Sequence, residues 1–187
     1  MKKTQSIARV LAVLFASTAL YVAAPVLAAE DFTADAPKLL GNLNNAPLSL
    51  AEAIAQVAQG KLATQAKFEK EDGKLVLSVY TSEKGKGVDA EHNVLQEHKG
   101  EIANNKWTPK TAKFKDVEHF ARSAEFHALM SMTNVTLEDV AKKAAAEGKV
   151  IWVQPVLKNG KPEFDVGVAK GTAVAQVRYD LITGNKI

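Results

Sequence analysis

Apolar residues recur along this chain with two periods, and the same succession of periods occurs twice. Near residue 50 and again near residue 137, apolar residues fall at positions 0, +3, +4 and +7, the spacing of one helix face. Ser49 and Thr136 precede these runs, and each has an acidic residue three positions later, which predicts a capping box at both helix starts. The helices are expected to end near Gly60 and Gly148.

Alternating strand patterns follow each predicted helix. The first pair of strands turns at Asp72-Gly73 and the second at Asn159-Gly160, and a third strand over residues 172–180 ends at a turn containing Gly184. The two helix starts and the two turns are each 87 residues apart, and Asp89 with Asn93 matches Asp180 with Gly184 after a small change in length. The sequence therefore predicts an internal duplication of a helix–hairpin–strand unit.

The segments outside the two units are predicted to be less regular. Residues 30–47 combine prolines, a glycine and asparagines, which indicates an irregular N-terminal arm, with leucines at 39, 40 and 43 placed to dock. Between the units, a connecting helix is predicted to reach about Met130 and to cover an exposed face of one sheet, with Met130 and Met132 as core-filling residues. The residues that indicate this helix are Phe114, Val117, Phe120, Ala121 and Ala124.

The first 29 residues have the pattern of a secretory signal peptide. Three basic residues precede an apolar stretch over residues 10–22, and small residues allow cleavage after Ala28 or Ala29. The apolar stretch is shorter than the ~20 residues that a spanning helix needs, so we expect a periplasmic protein with no membrane attachment after cleavage. Removing this segment takes three of the 24 basic residues and no acidic residue, leaving 21 of each sign. A neutral mature chain gives no reason to expect nucleic acid as a partner.

Several kinds of chemistry are excluded by the sequence. The chain has no cysteine, so it has no disulfide, thiolate nucleophile or cysteine-ligated metal. It also lacks the nucleophile-elbow, zinc-protease and phosphate-loop motifs. We therefore predict a protein that is not an enzyme and has no organic cofactor.

The second unit resembles the PepSY domain. The resemblance covers nearly all of residues 135–187, and the ending Tyr179-Asp180-x-x-Thr183-Gly184-x-x-Ile187 is its most specific part. The first unit is a weaker copy, with Val88 in place of the tyrosine and Asn93 in place of the glycine.

The resemblance implies an α+β fold of two tandem PepSY-like units, each with one helix packed on a small antiparallel sheet. The implied divisions are a signal peptide (1–29), an N-terminal arm (30–47), unit 1 (48–103), a linker with a helix (104–134) and unit 2 (135–187). The family includes secreted proteins with varied functions, among them peptidase inhibition and, in some two-domain periplasmic members, binding of metal ions including lanthanides.

One group of oxygen-bearing residues is a candidate metal site. Asp89, Glu91, Asn93 and Glu97 resemble the opening of a calcium loop, although His92 and Val94 depart from its usual pattern. Lanthanide and calcium ions favour similar oxygen ligands, so these residues predict a hard cation without separating the two. Asp89 has an alternative role as a turn residue that bonds local backbone amides.

Other polar residues are given ordinary structural roles. The acidic groups at 69, 71 and 72 and at 163 and 165 are interpreted as solvated faces, the four histidines as exposed, and Trp152 as a core residue. The leading hypothesis is a periplasmic protein that binds lanthanide or calcium ions. The alternative is a protein-interaction module, such as a peptidase inhibitor or regulator, that pairs an exposed sheet edge with a peptide.

Overall fold

The computed structural model describes residues 36–43, 46–104, 106–114 and 116–187, so the predicted signal peptide lies outside the described residues. Four α-helices occur in this part of the chain: α1 (Ala36–Leu43), α2 (Leu50–Val57), α3 (Val117–Ser131) and α4 (Leu137–Ala144). Eight strands accompany them: β1 (Leu62–Glu71), β2 (Lys74–Ser82), β3 (Leu95–Ala103), β4 (Lys106–Trp107), β5 (Lys110–Lys113), β6 (Lys149–Lys158), β7 (Lys161–Lys170) and β8 (Ala173–Asp180). The fold class is α+β.

The eight strands form one antiparallel sheet, with the order β4-β3-β2-β1-β6-β7-β8 and with β5 paired to β3. This differs from the expectation of a separate small sheet for each unit. The two halves of the sheet join where β1 pairs with β6, through Ala66 opposite Val153 and Lys67 opposite Trp152. Pro155, two residues beyond Val153, has no N–H with which to extend this ladder.

Local features that were predicted at an offset of 87 residues are present in both halves. Ser49 with Glu52 and Thr136 with Asp139 form complete capping boxes, which confirms the two helix starts. Asp72-Gly73 and Asn159-Gly160 make two-residue hairpin turns in which all four residues have positive φ. Each hairpin also has an irregularity at the matching place, between Ala63 and Gln65 and between Val150 and Trp152.

One face of the sheet packs against α1, α2 and α4. Because residues directly opposite one another on antiparallel strands share a face, Phe68, Leu77, Phe164 and Tyr179 point to this side. They belong to one buried cluster with the apolar positions of the helices. The prediction of an irregular arm is wrong for Ala36–Leu43, which forms a helix. The predicted docking of Leu39 and Leu43 is confirmed, since both are buried in this cluster, and their burial stabilises the helix.

Helix α3 covers the opposite face, against β1 and β6, as predicted for the connecting helix. The residues that indicated this helix do not form its buried face: Val117 is 85% exposed, and the buried residues are Ser123, Phe126, His127, Leu129 and Met130. The helix begins only at Val117, so Phe114 lies outside it and stacks on Tyr80. Met130 is buried as predicted, whereas Met132 is exposed.

Candidate functional site

The candidate metal-binding residues lie on the connection between β2 and β3. Residues Ala90–His92 form a single turn of 3₁₀-helix, preceded by Asp89 and followed by Asn93. Asp89, Glu91 and His92 are all exposed on this turn. A short, solvent-facing turn of this kind can rearrange its side chains around an ion without disturbing the core.

Three ligand-type groups converge here. A carboxylate oxygen of Asp89, a carboxylate oxygen of Glu91 and a ring nitrogen of His92 all lie within 4.8 Å of one another. His92 Nδ1 lies 3.6 Å from Glu91 Oε1. Ligands of one metal ion bound at about 2.0–2.2 Å lie somewhat closer together than 4.8 Å, so small rotations of exposed side chains would complete the geometry.

Asp89 and Asp180 use their carboxylates differently. Asp180 Oδ1 accepts hydrogen bonds from the backbone N–H and the hydroxyl of Thr183 and from the backbone N–H of Ile182, which lower the Asp180 pKa. The side chain of Asp89 makes no such capping bond to its turn. The alternative role of Asp89 as a turn-stabilising residue is therefore not the one that the structure shows.

Asn93 holds the turn in place. Its side-chain oxygen accepts hydrogen bonds from the backbone N–H groups of Lys84 and Val94, each at 2.9 Å. Its amide nitrogen donates to the carbonyl oxygens of Gly85 and Val88, at 3.0 and 3.2 Å. With its oxygen engaged twice by the backbone, Asn93 acts as a positioning residue for the loop, and its role as a ligand stays a prediction.

Glu97 is separated from the turn by its place in β3. Its Oε1 accepts a hydrogen bond from the Tyr80 hydroxyl at 3.0 Å, across the β2–β3 pair. It is not among the groups that converge with Asp89. The structure thus brings Asp89 and Glu91 together and places His92 beside them, a residue that the sequence analysis interpreted as exposed and as a departure from the calcium-loop pattern.

Helix α3 contacts the segment that leads into the turn through His127. The Nε2 atom of His127 lies 2.9 Å from the carbonyl oxygen of Val88, and Nδ1 lies 2.8 Å from the Ser82 hydroxyl. Since a carbonyl oxygen only accepts, the Nε2–H group of His127 donates the hydrogen bond to the Val88 carbonyl. His127 therefore ties the helix to the residue before Asp89, and its predicted exposure is wrong because it is 3% exposed.

The earlier match between Asp89–Asn93 and Asp180–Gly184 is also wrong. Asp180 ends β8 and lies opposite Glu163, whereas Asp89 precedes β3. The residue opposite Val76, which is the counterpart of Glu163 at the offset of 87, is Glu101. The connection between β2 and β3 is longer than that between β7 and β8, so matching the two halves by sequence paired the wrong residues. The turn at Asp89 lies in this longer connection and has no counterpart in the described residues 135–187.

The remaining polar candidates have structural roles. Glu163 and Asp165 are buried, contrary to the solvated-face interpretation, and Asp165 accepts hydrogen bonds from Trp152 Nε1 and Gln176 Nε2. His98 is buried as well, between the hydroxyl groups of Thr81 and Thr111. The burial of Trp152 is confirmed.

Comparisons with known proteins leave the family open. No protein-family model and no curated protein matches this chain. Among solved structures, the chain is similar to a candidate lipoprotein from Clostridium difficile 630, with 17% sequence identity, a TM-score of 0.38, and coverage of 75% of this chain and 91% of that chain. Within the described residues, no helix is both long enough and apolar enough to cross a bilayer.

Proposed function

We propose that this chain is an exported, non-enzymatic protein that binds metal ions at the turn formed by Asp89, Glu91 and His92. The observation that carries the proposal is the approach of two carboxylates and one imidazole to within 4.8 Å of one another on a turn of four residues. Each of these groups is a common metal ligand, and each is exposed. Solvent would complete the coordination shell.

The support around the turn favours binding with little loss of conformational freedom. Asn93 makes four hydrogen bonds to the backbone of the loop, and His127 fixes Val88 from α3. Lys84 Nζ donates to the His92 carbonyl at 2.7 Å, which holds the end of the turn but also places a positive charge close to it. That charge opposes cation binding, so an exposed site of this kind is expected to bind weakly.

The ligand set separates two classes of ion. The two carboxylates suit calcium or a lanthanide, the ions that the resemblance implies, whereas an imidazole nitrogen suits borderline divalent ions such as Zn²⁺. Asn93 and Glu97 would add oxygens for a hard cation, but both are engaged elsewhere. The arrangement therefore favours a divalent ion that accepts both nitrogen and oxygen, with calcium or a lanthanide as the alternative held by the carboxylates alone.

Calorimetric titration of the metal-free mature protein with Zn²⁺, Ca²⁺ and La³⁺ tests the proposal. Glu91→Gln should weaken binding of every ion that binds the wild type by roughly tenfold or more, because it removes one charged ligand. His92→Ala should weaken Zn²⁺ binding and leave Ca²⁺ and La³⁺ unchanged. Glu118→Gln is the matched control, since its side chain is 75% exposed against 76% for Glu91 and it lies on α3.

Two results would contradict the proposal. Absence of binding heat for all three ions, with no change in melting temperature at saturating ion, would show that the turn is not a metal site. Equal losses in Glu91→Gln and Glu118→Gln would show that any bound ion lies elsewhere.

The organisation of the chain is part of the same proposal. We infer that residues 48–103 and 135–187 are tandem units of PepSY type, which is supported by the capping boxes, hairpin turns and strand irregularities repeated at an offset of 87 residues. The signal pattern of residues 1–29 supports export to the periplasm.

A further inference from the structure

The two ends of the sheet differ in how they are protected. At one end, β4 and β5 are short and contain Lys106, Lys110 and Lys113. Short strands with lysines hinder pairing with another chain, because the lysines keep the edge hydrated and repel like charges. At the other end, β8 is eight residues long, and residues 172–177 contain no charged residue and no proline.

Within the described residues, the outer edge of β8 is covered at its C-terminal end alone. The Asp180 N–H donates to the Asn185 carbonyl at 2.8 Å, the Ile187 N–H donates to the Arg178 carbonyl at 3.0 Å, and Tyr179 forms a bridge with Lys186. Among the described residues, no strand pairs with this edge before Arg178. Five residues, from Ala173 to Val177, are left as an open edge.

The hydrogen bonds of Arg178 and Asp180 show which backbone groups of β8 point away from β7. Arg178 and Asp180 direct their backbone groups away from β7, and the N–H and C=O of alternate strand residues point the same way. Val174 and Gln176 therefore also direct their N–H and C=O groups outward. The open edge presents two donors and two acceptors with no strand partner in the described part of the chain.

We propose that the open edge of β8 pairs antiparallel with the same edge of a second copy of this chain, about a twofold axis at Ala175. In that register Val174 lies opposite Gln176 of the second copy and exchanges two hydrogen bonds with it, and symmetry repeats the pair. All four outward groups are then satisfied. The proposal is independent of the proposed metal site, which lies on the connection between β2 and β3.

The side chains fit this pairing. Ala175 meets its own copy at the axis as a pair without mutual hydrogen bonds, where Cα atoms approach to about 4.5 Å and small side chains are suited. Ala173 lies opposite Val177, so the five paired positions contain no charge. The same patch on both copies is what a twofold interface requires.

A second copy is favoured over an unrelated peptide because the edge is complementary to itself. Residues 178–180 already pair with residues 185–187 of their own chain, so the edge that remains for pairing ends at Val177. The edge of a second copy ends at the same residue, so the two open edges have equal length. An interface of five residues on each side buries less than the ~1,000 Å² of a stable interface, so the dimer should be weak and depend on concentration.

Single-cysteine variants of the full mature chain test the pairing, because the wild type has no cysteine. Ala175→Cys should form disulfide-linked dimers under mild oxidation at least tenfold faster than Ala112→Cys. Ala112 is the control because it lies on β5, at the opposite end of the sheet, where lysines occupy the edge. Sedimentation equilibrium of the wild type should show a monomer–dimer equilibrium, and Ala173→Lys should shift it to monomer, whereas Ala112→Lys should not. Both alanines at 173 and 112 are exposed, so folding should be retained and is checked by circular dichroism.

The proposal would be overturned by equal oxidation rates for the two cysteine variants, by a wild-type monomer throughout the concentration series, or by dimerisation that Ala173→Lys leaves unchanged. A monomer that instead captures an extended peptide at β8 would assign the edge to a different partner and would also overturn self-pairing.

Discussion

At the scale of single residues, the contact between Trp152 and Gly167 shows how one side chain determines another position. Trp152 on β6 lies opposite Gly167 on β7, and a Cβ atom at Gly167 would lie 2.2 Å from the indole ring. The indole Nε1 donates to Asp165 Oδ2 at 3.0 Å, which holds the ring over the glycine. Gly167 is thus required by packing and not by its backbone conformation.

Gly167→Ala should destabilise the protein by about 3 kcal/mol, since the ring or the strand must move to admit the methyl group. Urea unfolding gives the change in the free energy of unfolding. Gly87→Ala is the control, because nothing lies within 4 Å of its added Cβ and its φ is not positive, so a change within about 0.5 kcal/mol is expected. Similar losses in the two variants would show that the indole contact is not the cause.

At the scale of elements, β5 is attached to the sheet by both its backbone and a buried histidine. Its four residues pair with β3, and His98 on β3 links the Thr81 hydroxyl of β2 to the Thr111 hydroxyl of β5, each at 2.9 Å. Both ring nitrogens therefore have partners inside the protein. Burial, with a smaller effect of the positive charge on Lys61, lowers the pKa of His98 below its usual 6.5.

The lowered pKa of His98 predicts a loss of stability in mild acid. The unfolded chain takes up a proton at higher pH than the folded chain, so the free energy of unfolding should fall as the pH decreases from about 6.5 towards the folded-state pKa. In His98→Gln this part of the pH dependence should disappear. Urea unfolding between pH 7.5 and 5 measures it, and an unchanged slope in the variant would contradict the assignment.

At the scale of the whole molecule, the two halves share a sheet and a helical layer. The β1–β6 ladder is short, but Gln65 Nε2 donates to Gln154 Oε1 at 2.9 Å across it, and α2 packs against α4. Helix α3 contacts β1 and β6 together from the other side. Neither half can expose its inner strand without losing apolar contacts on both faces.

We therefore expect the halves to unfold as one cooperative unit. Trp107 and Trp152 are buried in different halves and provide separate fluorescence probes. In Trp107→Phe the fluorescence of Trp152 should follow the same urea transition as far-UV circular dichroism, and the reverse should hold in Trp152→Phe. Transitions with different midpoints within either variant would show that the halves unfold independently.

The sequence by itself determined the local structure of both halves. A capping box, a two-residue turn with a glycine at positive φ and a strand alternation each depend on residues within a few positions, so Ser49, Thr136, Gly73 and Gly160 could be interpreted without the fold. The same reasoning selected Asp89 and Glu91 as candidate ligands, because their spacing on a turn is local. It did not find His92, whose proximity to them depends on the 3₁₀ turn.

Only the tertiary structure decided the features that depend on distant residues. Which face of α3 is buried depends on β1 and β6, and Asn93 is occupied by backbone groups that the loop brings back to it. The acidic pair Glu163 and Asp165 is buried because neighbouring strands and Trp152 surround it. Local pattern specifies helices, turns and strands, whereas the join between β1 and β6, the support of the candidate metal site and the open edge of β8 arise from long-range packing.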